Sequence, residues 1–138
     1  MREILFKAKR KDKGEWVEGY YCKWKQIRRT ICVTEEKIVD CIIVWMSDGS
    51  MLRHEIDSDT LCQYTGFTDK NDKKIWENDI VRNKKGDIGV AQWFEEHAAF
   101  MIWNKTKNCV CYLAENDFSE IEVNGNVFDN LELLEVKE

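Results

Sequence analysis

The chain has 138 residues, 43% of them hydrophobic and 12% aromatic, with six Trp, no Pro and a formal net charge of −5. That length is one domain or two small ones, and the apolar content is too high for a disordered chain. No apolar run approaches the roughly 20 residues of a membrane span, and the opening MREILFKAKRKDKGEW is charged from its second residue and lacks a signal-peptide core. The expected location is therefore cytoplasmic, with no membrane partner, and the six cysteines then read as small buried hydrophobes, not as a disulfide frame.

Taken in chain order, apolar residues alternate with polar ones almost throughout. Ile4, Phe6 and Ala8 predict a half-buried strand, and Lys11–Gly14 a turn. In the next strand Trp16, Glu18, Tyr20, Cys22 and Trp24 share one side, and Val17, Gly19 and Tyr21 the other. Ile27–Val33 and Ile38–Met46 predict two more strands, and Asp48-Gly49 a tight hairpin returning through Met51–Ile56. Asp57–Thr60 suits a turn or one capped helical turn.

Gln63–Val81, QYTGFTDKNDKKIWENDIV, is dense in turn signals. Gly66 allows positive φ, and Asp69, Asn71 and Asp72 are residues that bond nearby backbone amides. Tyr64, Ile75 and Trp76 are its apolar anchors. Strands are then expected at Ile80–Arg82, at Ile88–Phe94 with a bulge or a close backbone approach at Gly89, at Phe100–Trp103, at Val110–Leu113 and at Ile121–Val123. Asn124-Gly125 reads as a hairpin into Val127-Phe128, and Asn130–Val136 as a helical turn and an edge strand. The fold class is all-β with minor helical turns. An N-terminal β unit (1–62) packs with a five-strand small barrel (80–138), and an ordered connector (63–79) joins them.

The connector resembles the signature of the YopX family of phage and prophage proteins, whose form is QYTGLKDKNGKEIYEGDIV. Gln63, Tyr64, Thr65, Gly66, Asp69, Lys70, Asn71, Lys73, Ile75, Glu77, Asp79, Ile80 and Val81 match it in register. Arg2-Glu3-Ile4 with Phe6-Lys7-Ala8 is similar to that family's REIKFRA opening, and Gly125–Leu134 to its GNIYENPELL close. Asp72 and Asn78 stand where the family has glycine, and Leu131 where it has proline. The resemblance implies an SH3-like barrel in the C-terminal part and a bacterial host. It implies no reaction.

Several constellations bear on chemistry. Cys22, Cys32, Cys41, Cys62, Cys109 and Cys111, with His54 and His97, contain no CxxC pair, so no zinc frame, metal site or cofactor is expected. No nucleophile elbow accompanies the cysteines and histidines. Asp57 with Asp59, Asp69 with Asp72, and Glu77 with Asp79 are paired carboxylates, for which turn capping is the expected role. A carboxylate-dependent hydrolase is the third-ranked reading.

Lys23, Trp24, Lys25, Arg28 and Arg29 interleave bases with an aromatic, as a phosphate-and-stacking surface would. Residues 1–31 hold ten Lys/Arg against four Asp/Glu, and residues 115–138 one Lys against eight Asp/Glu. The first expectation is a non-enzymatic protein-binding module with a protein partner, self-associating as a homo-oligomer and exposing aromatics at Trp24, Trp93 or Trp103. The alternative is a nucleic-acid-associated accessory factor using the basic run.

Overall fold

A computed structural model describes residues 2–113 and 120–135. The fold is all-β, with every strand pairing antiparallel and only short 3-10 turns for helix. The chain divides into two compact units, Glu3–Gln63 and, from Tyr64 onward, the remainder. No helix among the described residues is long and apolar enough to cross a membrane.

In the first unit β1 (Phe6–Lys9), β2 (Trp16–Arg29), β3 (Thr34–Trp45) and β4 (Met51–Glu55) lie in the order β4-β3-β2-β1. Cys62 and Gln63, which open β5 (Cys62–Thr68), pair with Lys7 and Phe6 on the other edge of β1. The core is the face bearing Ala8, Ile42 and Ile56, with Phe6, Val17, Tyr21, Val44 and Leu61 packed around them. The alternation expected for 16–24 holds, since Val17 and Tyr21 turn inward while Tyr20 and Trp24 are exposed. Gly19 is needed for close approach: a Cβ there would lie 2.1 Å from the Ile43 carbonyl oxygen. A 3-10 turn at Ser58–Thr60 is capped by the Asp57 carboxylate, which accepts from the Asp59 N–H at 3.1 Å. Thr60 Oγ1 then accepts from the Lys9 N–H at 2.8 Å, tying that turn to β1.

The separate strand expected at Ile27–Val33 does not exist. β2 runs unbroken to Arg29, and Thr30–Val33 is the reversal into β3. The Thr30 N–H donates to the Val33 carbonyl at 2.8 Å, and Thr30 Oγ1 accepts from the Val33 N–H at 3.1 Å. A threonine side chain does here what a glycine or asparagine turn would announce in sequence.

The second unit is a five-stranded sheet. β7 (Asp79–Arg82), β8 (Ile88–Phe94), β9 (Ala99–Asn104), β10 (Cys109–Tyr112) and β11 (Glu122–Asn126) take the order β10-β9-β8-β7-β11. Its five strands match the number expected of a small barrel. Among the described residues no pairing joins β10 to β11, so within them the five strands form an open sheet. Its core joins Val81, Ala91, Ile102, Cys111, Leu113 and Ile121 with Ile75 from β6 (Lys74–Trp76).

Of the bulge or close backbone approach expected at Gly89, the bulge is not there: Gly89 sits in regular register, opposite Val81 and Asn104. Asn124-Gly125 is not a hairpin turn but a bulge inside β11, where the pairing with β7 shifts between Val123 and Gly125. Val127-Phe128 falls in the turn that follows. Leu131–Leu134 is the expected helical turn, and the end of the expected edge strand at Val136 lies outside the described residues.

Candidate functional site

The residues singled out in sequence fall in two places, which differ in what their polar groups do. The connector is not a bare loop: it contains β5 from Tyr64, then a turn, then β6. Tyr64 and Trp76 pair across the strands, with ring centroids 5.7 Å apart, and Lys74 Nζ lies 5.6 Å from the Tyr64 ring. Thr65 is buried, and its hydroxyl donates to the Ile75 carbonyl at 2.7 Å while accepting from the Phe67 N–H at 3.3 Å. Gly66 has φ +90°, the conformation that its place in the segment calls for.

Asp69 is the hub of this turn. It is 6% exposed. Oδ1 accepts from the Asn71 and Lys73 N–H groups at 2.8 and 2.9 Å, and Oδ2 accepts from the Val123 N–H at 3.0 Å. The Lys70 N–H donates to the Ile121 carbonyl, so the turn is laced to the chain entering β11. Burial pushes the Asp69 carboxyl up. The three amide donors, with the nearby Lys73 charge, outweigh it and hold the group below the usual range. Asp79 is also buried and accepts from the Trp76 N–H at 2.8 Å, closing the Trp76–Asp79 corner. Asn71 is exposed, and Gln63 and Glu77 are half-buried.

Asp72 and Asn78, which replace the family's glycines, have φ +61° and +70°. They occupy the left-handed conformation without the residue that adopts it freely. Leu131, in the place of the family's proline, is the first residue of the final 3-10 turn, a position whose geometry suits proline.

The basic run lies in the first unit, on β2. From Lys23↔Asp40 to Arg29↔Thr34, the β2–β3 ribbon has no third strand on either edge among the described residues, because β1 covers only Trp16–Gly19 and β4 only Cys41–Trp45. Period two sends Lys23, Lys25 and Arg29 to one face of the ribbon, and Trp24 and Arg28 to the other. Acidic residues on β3 meet the bases: Lys23 Nζ lies 3.8 Å from Asp40 Oδ1, Lys25 Nζ lies 3.1 Å from Glu36 Oε2, and Arg28 is directly opposite Glu35. Asp40 also accepts from the Tyr21 hydroxyl at 2.5 Å. That bond, with burial, pushes the Tyr21 phenol up to about 12. Trp24 stacks under Arg53, whose guanidinium carbon lies 4.2 Å from the ring centroid.

The apolar side chains of the same ribbon are exposed. Ile27, Val33 and Ile38 are 50%, 53% and 68% exposed, and Ile31 at the tip is fully exposed. These residues escaped the sequence reading, which placed Ile27–Val33 inside a strand. The alternation of base and isoleucine opposite acid and isoleucine was the available signal. Of the aromatics expected at the surface, Trp24 and Trp93 are exposed and Trp103 is half-buried, while Trp45, not singled out, is more exposed than either.

At the base of the ribbon a cleft of about 430 Å³ is lined by residues of both charges, among them Lys9, Arg10, Lys37, Asp40 and Glu55. Arg10 is engaged by Asp12 at 2.9 Å and Lys11 by Glu55 at 3.3 Å. Among the described residues no group of three or more His, Cys, Asp or Glu converges as a metal site.

A comparison with curated proteins returned no match. The chain is similar in fold to the crystal structure of protein EF1440 from Enterococcus faecalis, at 18% identity over 98% of this chain and 100% of that one, with a TM-score of 0.55. The family described as YopX protein matches residues 5–135, nearly the whole chain, and the chain belongs to that family.

Proposed function

We propose that the chain is a phage- or prophage-type, non-enzymatic protein-binding module that works through its β2–β3 ribbon, and that a second copy of the chain is one of its partners. The observation that carries this reading is the exposure of Ile27, Ile31, Val33 and Ile38 on a ribbon with both edges open. An isolated two-stranded ribbon is marginal in water, and open strand edges invite pairing with another chain. Its alternating charges, Lys25 against Glu36 and Lys23 against Asp40, suit a surface that itself carries both signs, as a second copy does. The same pairs neutralise much of the basic run, which favours a protein partner over nucleic acid. The binding of Asp69 to three backbone amides supports a structural role for the signature carboxylate, not acid–base work.

Size-exclusion chromatography with light scattering tests the reading, with the protein alone and with short single- and double-stranded DNA, at low and moderate salt. The expected result is a discrete oligomer indifferent to DNA, which Ile31→Asp and Ile38→Asp each weaken at least tenfold without changing the circular dichroism spectrum. A wild-type monomer at high concentration would overturn it. So would a salt-sensitive shift with DNA that Arg28→Ala and Arg29→Ala abolish, which would install the nucleic-acid reading instead.

A further inference from the structure

The two open edges of the ribbon differ in charge. The β2 edge, from Lys23 to Arg29, carries Lys23, Lys25, Arg28 and Arg29 and no acid. Any two-fold pairing of this edge with itself sets base against base, which is destabilising. The β3 edge, Thr34–Val39, mixes Glu35, Glu36 and Lys37. No third strand joins it among the described residues, because β4 reaches only to Cys41 and the Ile56 N–H donates to the Asp40 carbonyl, at 3.0 Å.

That hydrogen bond fixes which backbone groups face the open edge. Both backbone groups of a strand residue point to one side, and the sides alternate along the chain. Those of Asp40 point outward, so those of Ile38, Glu36 and Thr34 do as well. Two copies related by a two-fold axis pair antiparallel through these groups, and the axis sets one residue opposite its own copy. Centring on Lys37 opposes two lysines, and centring on Ile38 opposes Glu36 to the second copy's Asp40. Centring on Glu36 instead sets Glu35 of each copy opposite Lys37 of the other. The like pair this leaves is Glu36 with its own copy, and each of those carboxylates already lies 3.1 Å from Lys25 Nζ. Lys37 faces the neutral Gln26 within the ribbon and gains an acid across the axis.

The same register carries the ribbon tips past each other. With Thr34 opposite the second copy's Ile38, the turn Thr30–Val33 of each copy runs alongside Val39 and Asp40 of the other, where the cleft of about 430 Å³ opens. Ile38, Val39 and Ile56 are its apolar lining, and Ile31, fully exposed at the tip, is the apolar side chain delivered to it. We propose that two copies of the chain join by their β3 edges in this register, each placing its ribbon tip in the cleft of the other. This rests on the reading of the ribbon as a self-association surface, and it names the edge, the register and the receiving cleft.

A charge swap on the full chain, read by light scattering over a concentration series, tests the pairing. Glu35→Lys and Lys37→Glu each turn both cross-copy pairs into like charges, and each is expected to weaken association about tenfold or more. The double variant Glu35→Lys/Lys37→Glu restores unlike charges and is expected to associate as the wild type does. An equimolar mixture of the two single variants restores them only between different chains, and is expected to give the heterodimer in native mass spectrometry. Both residues are exposed, and circular dichroism checks that each variant folds. Rescue cannot come from Arg28, opposite Glu35 within the copy, since the double variant leaves that pair like-charged. A wild-type oligomer that the single variants leave intact, or that neither the double variant nor the mixture restores, overturns the β3 pairing while self-association stands. A wild-type monomer at high concentration overturns both.

Discussion

The Asp69 turn and the β2–β3 ribbon are both charged, aromatic-bearing stretches, but they spend their polar groups in opposite ways. In the turn a single carboxylate satisfies three backbone amides and is almost wholly shielded from water. In the ribbon the charges pair at the surface, and the apolar side chains between them remain in solvent. The family signature therefore marks where this chain is held together. The surface proposed to meet a partner is a ribbon that the signature does not include.

The comparison breaks most sharply at Asp69. Asp69→Ala leaves three amides without their acceptor in a site that water barely reaches. Hydrogen bonds to a charged group contribute about 1.5–3 kcal/mol each and are not additive, so a loss of about 3 kcal/mol or more is expected. Urea denaturation followed by Trp fluorescence would measure it, and a loss below about 1 kcal/mol would remove Asp69 from its place as the hub. The sign of the pH dependence follows from the lowered carboxyl. Its stabilisation is present above the unfolded value near 3.9 and is lost as pH falls through the lower folded value. The stability gap between wild type and Asp69→Asn should therefore shrink as the pH is taken from about 6 towards 3.

Much of this contrast was legible in the sequence, because the turn announces itself through residue types with few alternatives. Gly14, Gly49 and Gly66 all have positive φ, each within a stretch read for turns. Period-two alternation put Val17 and Tyr21 on one side of the strand and Tyr20 and Trp24 on the other, and the structure turns the first pair inward. The ribbon was less legible. Its reversal at Thr30–Val33 uses a threonine hydroxyl and β-branched residues, which in sequence look like more strand. The bulge expected at Gly89 and the hairpin expected at Asn124-Gly125 failed for a related reason, since a glycine in a strand fits a bulge, a turn or plain register equally well until its partners are known. Barrel closure was not legible either, because it is decided by which edge strands meet, and no local pattern encodes that.

A smaller effect of opposite sign is expected at Asp72. It closes the turn, its N–H donating to the Asp69 carbonyl at 3.0 Å, and it holds φ +61° with an ordinary side chain. Asp72→Gly removes the clash of Cβ with the following carbonyl at the cost of a more flexible unfolded chain. The steric relief is about 1–2 kcal/mol and the entropic loss somewhat less, so a net gain of about 0.5 kcal/mol is expected in the same urea measurement. A loss instead would mean that the Asp72 side chain contributes to the turn beyond its backbone.

The smallest effect belongs to the ribbon, and it tests whether its charges are there for the fold. Lys25 and Glu36 are each 56% exposed, and they lie on the part of the ribbon that no third strand joins among the described residues. An exposed pair of this kind contributes about 0.2–1 kcal/mol and is screened by salt. A double-mutant cycle on Lys25→Ala and Glu36→Ala should give a coupling of about 0.5 kcal/mol or less in urea denaturation, fading with added salt. If the ribbon is an interaction surface, the same cycle read by light scattering should give a larger coupling, because a pair covered by a partner loses its solvent screening. Equal couplings in the two readouts would return Lys25 and Glu36 to the role of an ordinary solvated pair and leave the isoleucines alone to carry the association.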